Sequence, residues 1–154
     1  KDVMYQHDHN QEIFYSPWRR TLRPLRGILH ATFTFTMGAM LFNRLVVWGA
    51  GKAGKTGWKK AGFNGLDLDR ARYRCLEEIE SVQYSLKDLE YAGSQLKWLT
   101  GGGKQLVKQL RDALTYMERD IEEYEGEVSR SSFGPALRRH RIELAQAREA
   151  LSLM

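Results

Sequence analysis

"LRGILHATFTFTMGAMLFNRLVVWGAG", Leu25 to Gly51, is the most apolar part of the chain, and its reading decides the architecture. Gly27 to Trp48 makes a helix about 33 Å long at roughly 1.5 Å per residue, close to the ~30 Å of a bilayer's hydrocarbon core. Arg44 lies near enough to the end to snorkel. Thr32, Thr34 and Thr36 are tolerable because a threonine hydroxyl can bond the carbonyl one turn back. Trp18 and Trp48 sit where interfacial belts fall. Arg19, Arg20, Arg23 and Arg26 flank one side, with Lys52, Lys55, Lys59 and Lys60 on the other. Equal charge on both flanks assigns no orientation. The reading adopted is a transmembrane helix over 25–49. A core helix, a strand suggested by the alternation in "HATFTFTM", and an interfacial helix compete with it.

Charge supports a special role for this half of the chain. The net +5 divides into +7 over Lys1–Leu66 and −2 over Asp67–Met154, and no acidic residue occurs between Glu12 and Asp67. Such a segment faces something anionic, or lies where a carboxylate is costly. Residues 1–24 read as an extended arm. Residues 50–66 read as a basic Gly/Lys juxtamembrane linker whose lysines, with Trp58, meet anionic phospholipid headgroups, cardiolipin among them. A start at Lys1 is consistent with a removed organelle-targeting segment.

Inside that linker, Gly49 to Thr56 satisfies the phosphate-loop pattern G-x-x-x-x-G-K-[ST]. A phosphate loop also needs a buried strand before it and a propagating helix after it. "RLVVW" passes as the strand. Downstream, Gly57, Gly62 and Gly65 oppose a helix at about 1 kcal/mol each, and no later strands exist to build a sheet. The motif therefore reads as a hinge.

From Asp67 the pattern becomes helical. Cys75, Ile79, Val82, Leu86, Leu89, Gly93 and Leu96 form one stripe at spacings of three and four, on a helix expected over 67–99. After "TGGG" (100–103), Val107, Leu110, Leu114, Met117, Ile121, Tyr124 and Val128 form a second. Three glycines stop the first helix and let the chain reverse, so the two pack as an antiparallel hairpin. "SRSSFGP" (129–135) is the next break. A third helix over 136–153 carries Leu137, Leu144 and Leu151, with His140, Ala147 and Met154 three residues after each. Residues 67–154 thus form a small coiled-coil-like bundle. The fold class is all-α: one transmembrane helix, then the hairpin, then a third amphipathic helix.

Chemistry-bearing clusters are sparse. His7, Asp8 and His9 lack a third metal ligand nearby. His30 suits headgroup or helix contact better than a cofactor, and His140 sits among arginines. The lone Cys75 falls on the packing stripe, where a buried thiol is ordinary. The sequence offers no catalytic constellation, cofactor or metal site. The function expected is that of a non-catalytic accessory subunit of a large membrane complex in an energy-transducing organelle. The mitochondrial inner membrane, in a respiratory or ATP synthase assembly, is the favoured location. An RNA-associated ribosomal role, from the basic and aromatic residues of "GKAGKTGWKKAGFNG", and a nucleotide-binding role are the alternatives.

Overall fold

A computed structural model describes residues 4–5 and 11–151, with the side chains of 52 and 53 left aside. The order is β1 (Phe14–Ser16), β2 (Thr21–Arg23), α1 (Leu25–Ala50), α2 (Lys52–Lys60), α3 (Gly65–Ser94), α4 (Gly101–Arg130) and α5 (Gly134–Leu151). The all-helical character expected from the sequence holds. The place of its most apolar segment does not.

α1 is a member of the bundle. No helix among the described residues is long and apolar enough to cross a membrane, so the transmembrane reading of 25–49 is corrected. The reason lies in how the apolar residues divide around the helix. Leu25, Ile28, Leu29, Thr32, Thr36, Ala39, Asn43 and Val46 recur at threes and fours and are buried against α3 and α4. Phe33, Met37, Leu41, Val47 and Trp48 point the other way and remain exposed. Thr32 and Thr36 donate their hydroxyls to the carbonyls of Ile28 and Thr32, both at 2.7 Å, the back-bonding expected of them. They do so against protein, in a seam that also holds Asn43. The Asn43 amide accepts from the Tyr124 hydroxyl at 2.6 Å and donates to Asp120 at 3.1 Å. A polar side chain that costs free energy in hydrocarbon is here satisfied from α4.

The expected flexible linker is largely helix. α2 turns back across the end of α1, and its glycines are required by that approach. A Cβ on Gly54 would run into the Trp48 carbonyl, and one on Gly57 would come within 2.8 Å of the Trp48 ring. Gly49 gives room to Trp58 in the same way. Trp48, Trp58 and Phe63 then cluster, with ring centroids 5.6 and 4.7 Å apart, and the Trp58 indole donates to the Asn64 carbonyl at 2.9 Å. Burial of Trp58 within that cluster opposes the propensity cost of glycine in a helix.

α3 is the central element. Asn64 and Asp67 form a capping box at its start, each side chain accepting the other's backbone N–H at about 3.0 Å. It ends at Ser94, short of the expected Leu99, where Lys97 takes a left-handed φ of 60° and Leu96 and Trp98 return their N–H groups to Tyr91 and Ala92. The glycines after it do not separate the helices, because they form the first turn of α4. Thr100 caps that turn by accepting the Gly103 N–H at 3.1 Å, and a Cβ on Gly103 would meet the Met4 carbonyl. α3 and α4 pack as the expected hairpin, burying Ile79, Val82, Leu86, Leu89, Val107, Leu110, Leu114 and Met117, while Leu96 and Ile121 are partly buried. In α5, Leu137 and Ala147 are buried and Leu151 is exposed; Met154 lies outside the described residues.

Residues 11–24 are not an extended arm. They form a β-hairpin whose four-residue loop closes with the Arg20 N–H on the Ser16 carbonyl at 2.7 Å, Arg20 adopting a left-handed φ of 55°. Phe14 is fully buried, and Trp18 stacks on Phe35 of α1 at 4.5 Å with rings 9° from parallel.

Candidate interaction surface

The outward side of α1 carries three of the expected interface residues, Arg26, Arg44 and Trp48. Arg26, His30, Phe33, Met37, Leu41, Arg44 and Trp48 follow one another at threes and fours along it, all exposed. The stripe is apolar in its middle and cationic near its ends. Arg26, His30 and Arg44 make no ion pair among the described residues. At the far end α2 adds exposed Lys55, Lys59 and Lys60; Lys52's side chain lies outside the described residues. The flanking charges therefore do bracket the apolar segment, as the sequence indicates. They bracket one face of a packed helix.

At the start of α1 the β-hairpin turns this stripe into a hollow. Ser16, Trp18, Arg19, Arg23, Arg26, Gly27, His30, Thr34 and Phe35 are among the residues enclosing a cavity of about 720 Å³. Arg19 comes from the hairpin loop, Arg23 from the end of β2, and Arg26 and His30 from successive turns of α1. The Trp18–Phe35 stack and the Trp18 N–H to Glu78 at 2.8 Å hold the hairpin in this position. Among the described residues, no carboxylate lines the hollow.

Three expected interface residues have other duties. Trp58 is buried in the aromatic cluster under α1, and Trp18 anchors the hairpin. Arg20 leaves the hollow to pair with Glu143 of α5 at 3.1 Å. The phosphate-loop match folds as a helix following another helix, so its backbone N–H groups serve helical bonds, as when Lys55 donates to Gly51 at 2.9 Å. The loop that would wrap a phosphate is not formed.

A second hollow, about 440 Å³, lies on the other side of Trp18, between the hairpin, α3 and α5. Its polar content was not visible as a site in the sequence. Glu78, Ser81, Ser85 and Asp88 form a buried polar seam along α3, at spacings of three and four. Trp18 and Arg74 bind Glu78, at 2.8 and 2.6 Å, and Arg148 binds Asp88 at 2.6 Å. Burial raises the pKa of both carboxyls, opposed for Glu78 by the Trp18 hydrogen bond and by Arg74, and for Asp88 by Arg148. Alternation of acidic and small polar residues at helical spacing is the signal that reveals such a seam.

Ser81, His140 and Glu80 meet there in a combination that invites a catalytic reading. Ser81 Oγ lies 3.5 Å from His140 Nε2, and Glu80 approaches that same nitrogen at 3.9 Å. A nucleophile–base–acid chain needs the acid on the opposite ring nitrogen. This geometry instead ties α5 to α3, as does the bond of Arg141 to Glu80 at 2.7 Å, while the bond of Arg141 to Glu125 at 3.0 Å ties α5 to α4. Cys75 is buried, its thiol pushed up to about 12 by burial first and by Asp120 and Glu78 after it, with its S–H directed at the Ala39 carbonyl at 3.7 Å. His7, Asp8 and His9 fall outside the described residues, among which no group of three potential ligands could hold a metal ion.

No protein-family profile, curated protein or solved structure matches the chain.

Proposed function

We propose that the protein is a non-catalytic accessory subunit of a large membrane complex, that it attaches through the outward side of α1, and that it bridges neighbouring subunits with its helical bundle. The observation that carries this reading is the exposed series Phe33, Met37 and Leu41, 45, 41 and 57% accessible, with cations at either end. Large apolar side chains in a row on a folded surface mark a binding face, and cations beside them suit an anionic lipid boundary. The opposite charge elsewhere supports bridging: Glu118, Glu122 and Glu123 of α4 are exposed and make a face for a basic protein partner. An energy-transducing organelle membrane, the mitochondrial inner membrane first, fits this combination of a basic amphipathic face and anionic phospholipid partners.

Flotation of the full chain with liposomes containing anionic phospholipid, followed by native purification with its neighbours, tests the reading. Binding should fall several-fold in Phe33→Ser/Leu41→Ser while thermal stability is unchanged, because neither side chain is in the core. Recovery from its native source as a monomer in the soluble fraction, with no binding to anionic liposomes, would overturn it. Nuclease-sensitive co-sedimentation with ribosomes would instead favour the RNA-associated alternative.

A further inference from the structure

The hollow at the start of α1 presents positive charge that is paired with no carboxylate among the described residues. Arg19, Arg23 and Arg26 line it from three different pieces of backbone and make no ion pair among the described residues, whereas Arg20 lines the neighbouring hollow and pairs there with Glu143. Three exposed arginines border one cavity, so a multiply charged anion seated in it meets positive charge from three sides. The geometry points to a binding site for a phosphate group carrying at least two negative charges, either on a soluble phosphorylated compound or on a lipid headgroup.

Several features fit phosphate in particular. Guanidinium forks match phosphate oxygens in bidentate fashion, and three of them exceed what a single carboxylate can use. The cavity, about 720 Å³, falls within the range of small-molecule sites and exceeds the needs of a simple ion. α1 begins at Leu25 with no side-chain cap and no acidic residue in its first turn, so its N-terminal dipole adds to the same field. Gly27 contributes by omission: a Cβ there would sit 3.4 Å from Arg23 Nε, which lies across the first turn of the helix. The Trp18–Phe35 stack supplies a rigid wall, so little order has to be imposed on binding. His30 and Thr34 place further polar groups toward the apolar stripe, where the remainder of an amphiphilic ligand would continue.

This site deepens the membrane-attachment reading if the phosphate belongs to lipid, and stands without it if the phosphate is soluble. The experiment uses the full chain in two arms. Pyrophosphate is titrated by calorimetry, with Trp18 fluorescence followed in parallel. Vesicles of phosphatidylcholine alone, or with phosphatidic acid, are tested by flotation. Arg23→Gln/Arg26→Gln is compared with Lys87→Gln/Lys104→Gln, which removes the same charge from exposed positions outside the hollow. The site predicts saturable binding in at least one arm, weakened roughly tenfold or more by the arginine changes and little by the lysine changes. Pyrophosphate binding with no vesicle binding identifies a soluble ligand and sinks only the membrane reading. Vesicle binding that depends on the arginines, without pyrophosphate binding, identifies a lipid headgroup. Absence of saturable binding in both arms, or equal weakening by the two double variants, would overturn the proposed site.

Discussion

Tyr124 of α4 donates its hydroxyl to the amide oxygen of Asn43 of α1 at 2.6 Å, in a buried seam. The bond joins the segment of the chain that looks most like a membrane helix to the one that looks most like a water-soluble coiled coil. Each partner leaves an unsatisfied polar atom if the other is removed, so the pair should be coupled.

Tyr124→Phe is expected to destabilise the fold by about 1 kcal/mol, and Asn43→Leu by about 1–3 kcal/mol, since it strands the hydroxyl. The double variant should lose less than the sum of the two. Thermal denaturation resolves this at roughly 2–4 °C per kcal/mol for a chain of this size. Strict additivity would show that the two residues do not interact.

Gly54→Ala and Gly57→Ala separate a packed helix from a flexible hinge. In a hinge, alanine is neutral or stabilises by about 0.4–1 kcal/mol through the unfolded state. Against the Trp48 carbonyl and ring it must displace α2, so both variants should melt earlier and expose the Trp58 indole to collisional quenchers. Lys55→Ala, at an exposed position in the same motif, should leave the melt unchanged.

Glu78 gives a pH signature opposite in sign to ordinary acid denaturation. Its folded pKa is raised, so the native state holds the proton more tightly than the unfolded chain does. The resulting stabilisation is absent above the folded pKa. It grows as pH falls through that value and is complete below the ordinary carboxyl pKa. Glu78→Gln keeps an acceptor for Trp18 but cannot titrate. Compared by urea unfolding, wild type should therefore gain on the variant between neutral pH and about pH 5, near the ordinary carboxyl range. A difference independent of pH would refute this.

Cys75 should be inert to thiol reagents in the folded protein, because burial both shields it and opposes thiolate formation. Its labelling rate should rise with urea in step with global unfolding. Rapid labelling under native conditions would mean that α1 lifts away from α3.

Much of the bundle was legible in the sequence because helical spacing survives burial: the stripes from Ile79 to Leu89 and from Val107 to Met117 are core, and α5 begins at Gly134, two residues before the expected start at 136. The third partner of that core was hidden because α1 has two apolar sides. Periodicity weakens when Phe33, Met37 and Leu41 fill the positions opposite Ile28, Thr32 and Ala39. Glycine misled twice for one reason. Gly54, Gly57 and Gly103 look like breaks in a one-dimensional reading, yet each marks a close approach of another segment. The buried seam from Glu78 to Asp88 does not show in the sequence because its partners, Trp18 and Arg148, lie 60 residues away in either direction. The arginines around the hollow were legible individually, but their convergence depends on a hairpin whose two strands have only three residues each.

Native-state hydrogen exchange along α1 tests most directly whether this helix is core on one side and binding face on the other. The fold predicts that the amides of Thr32, Thr36, Ala39, Asn43 and Val46 exchange only with global unfolding, at the same free energy as Ile79, Val82 and Leu86 of α3. Exchange of the α1 amides through a low-energy local opening, while those of α3 stay protected, would contradict it.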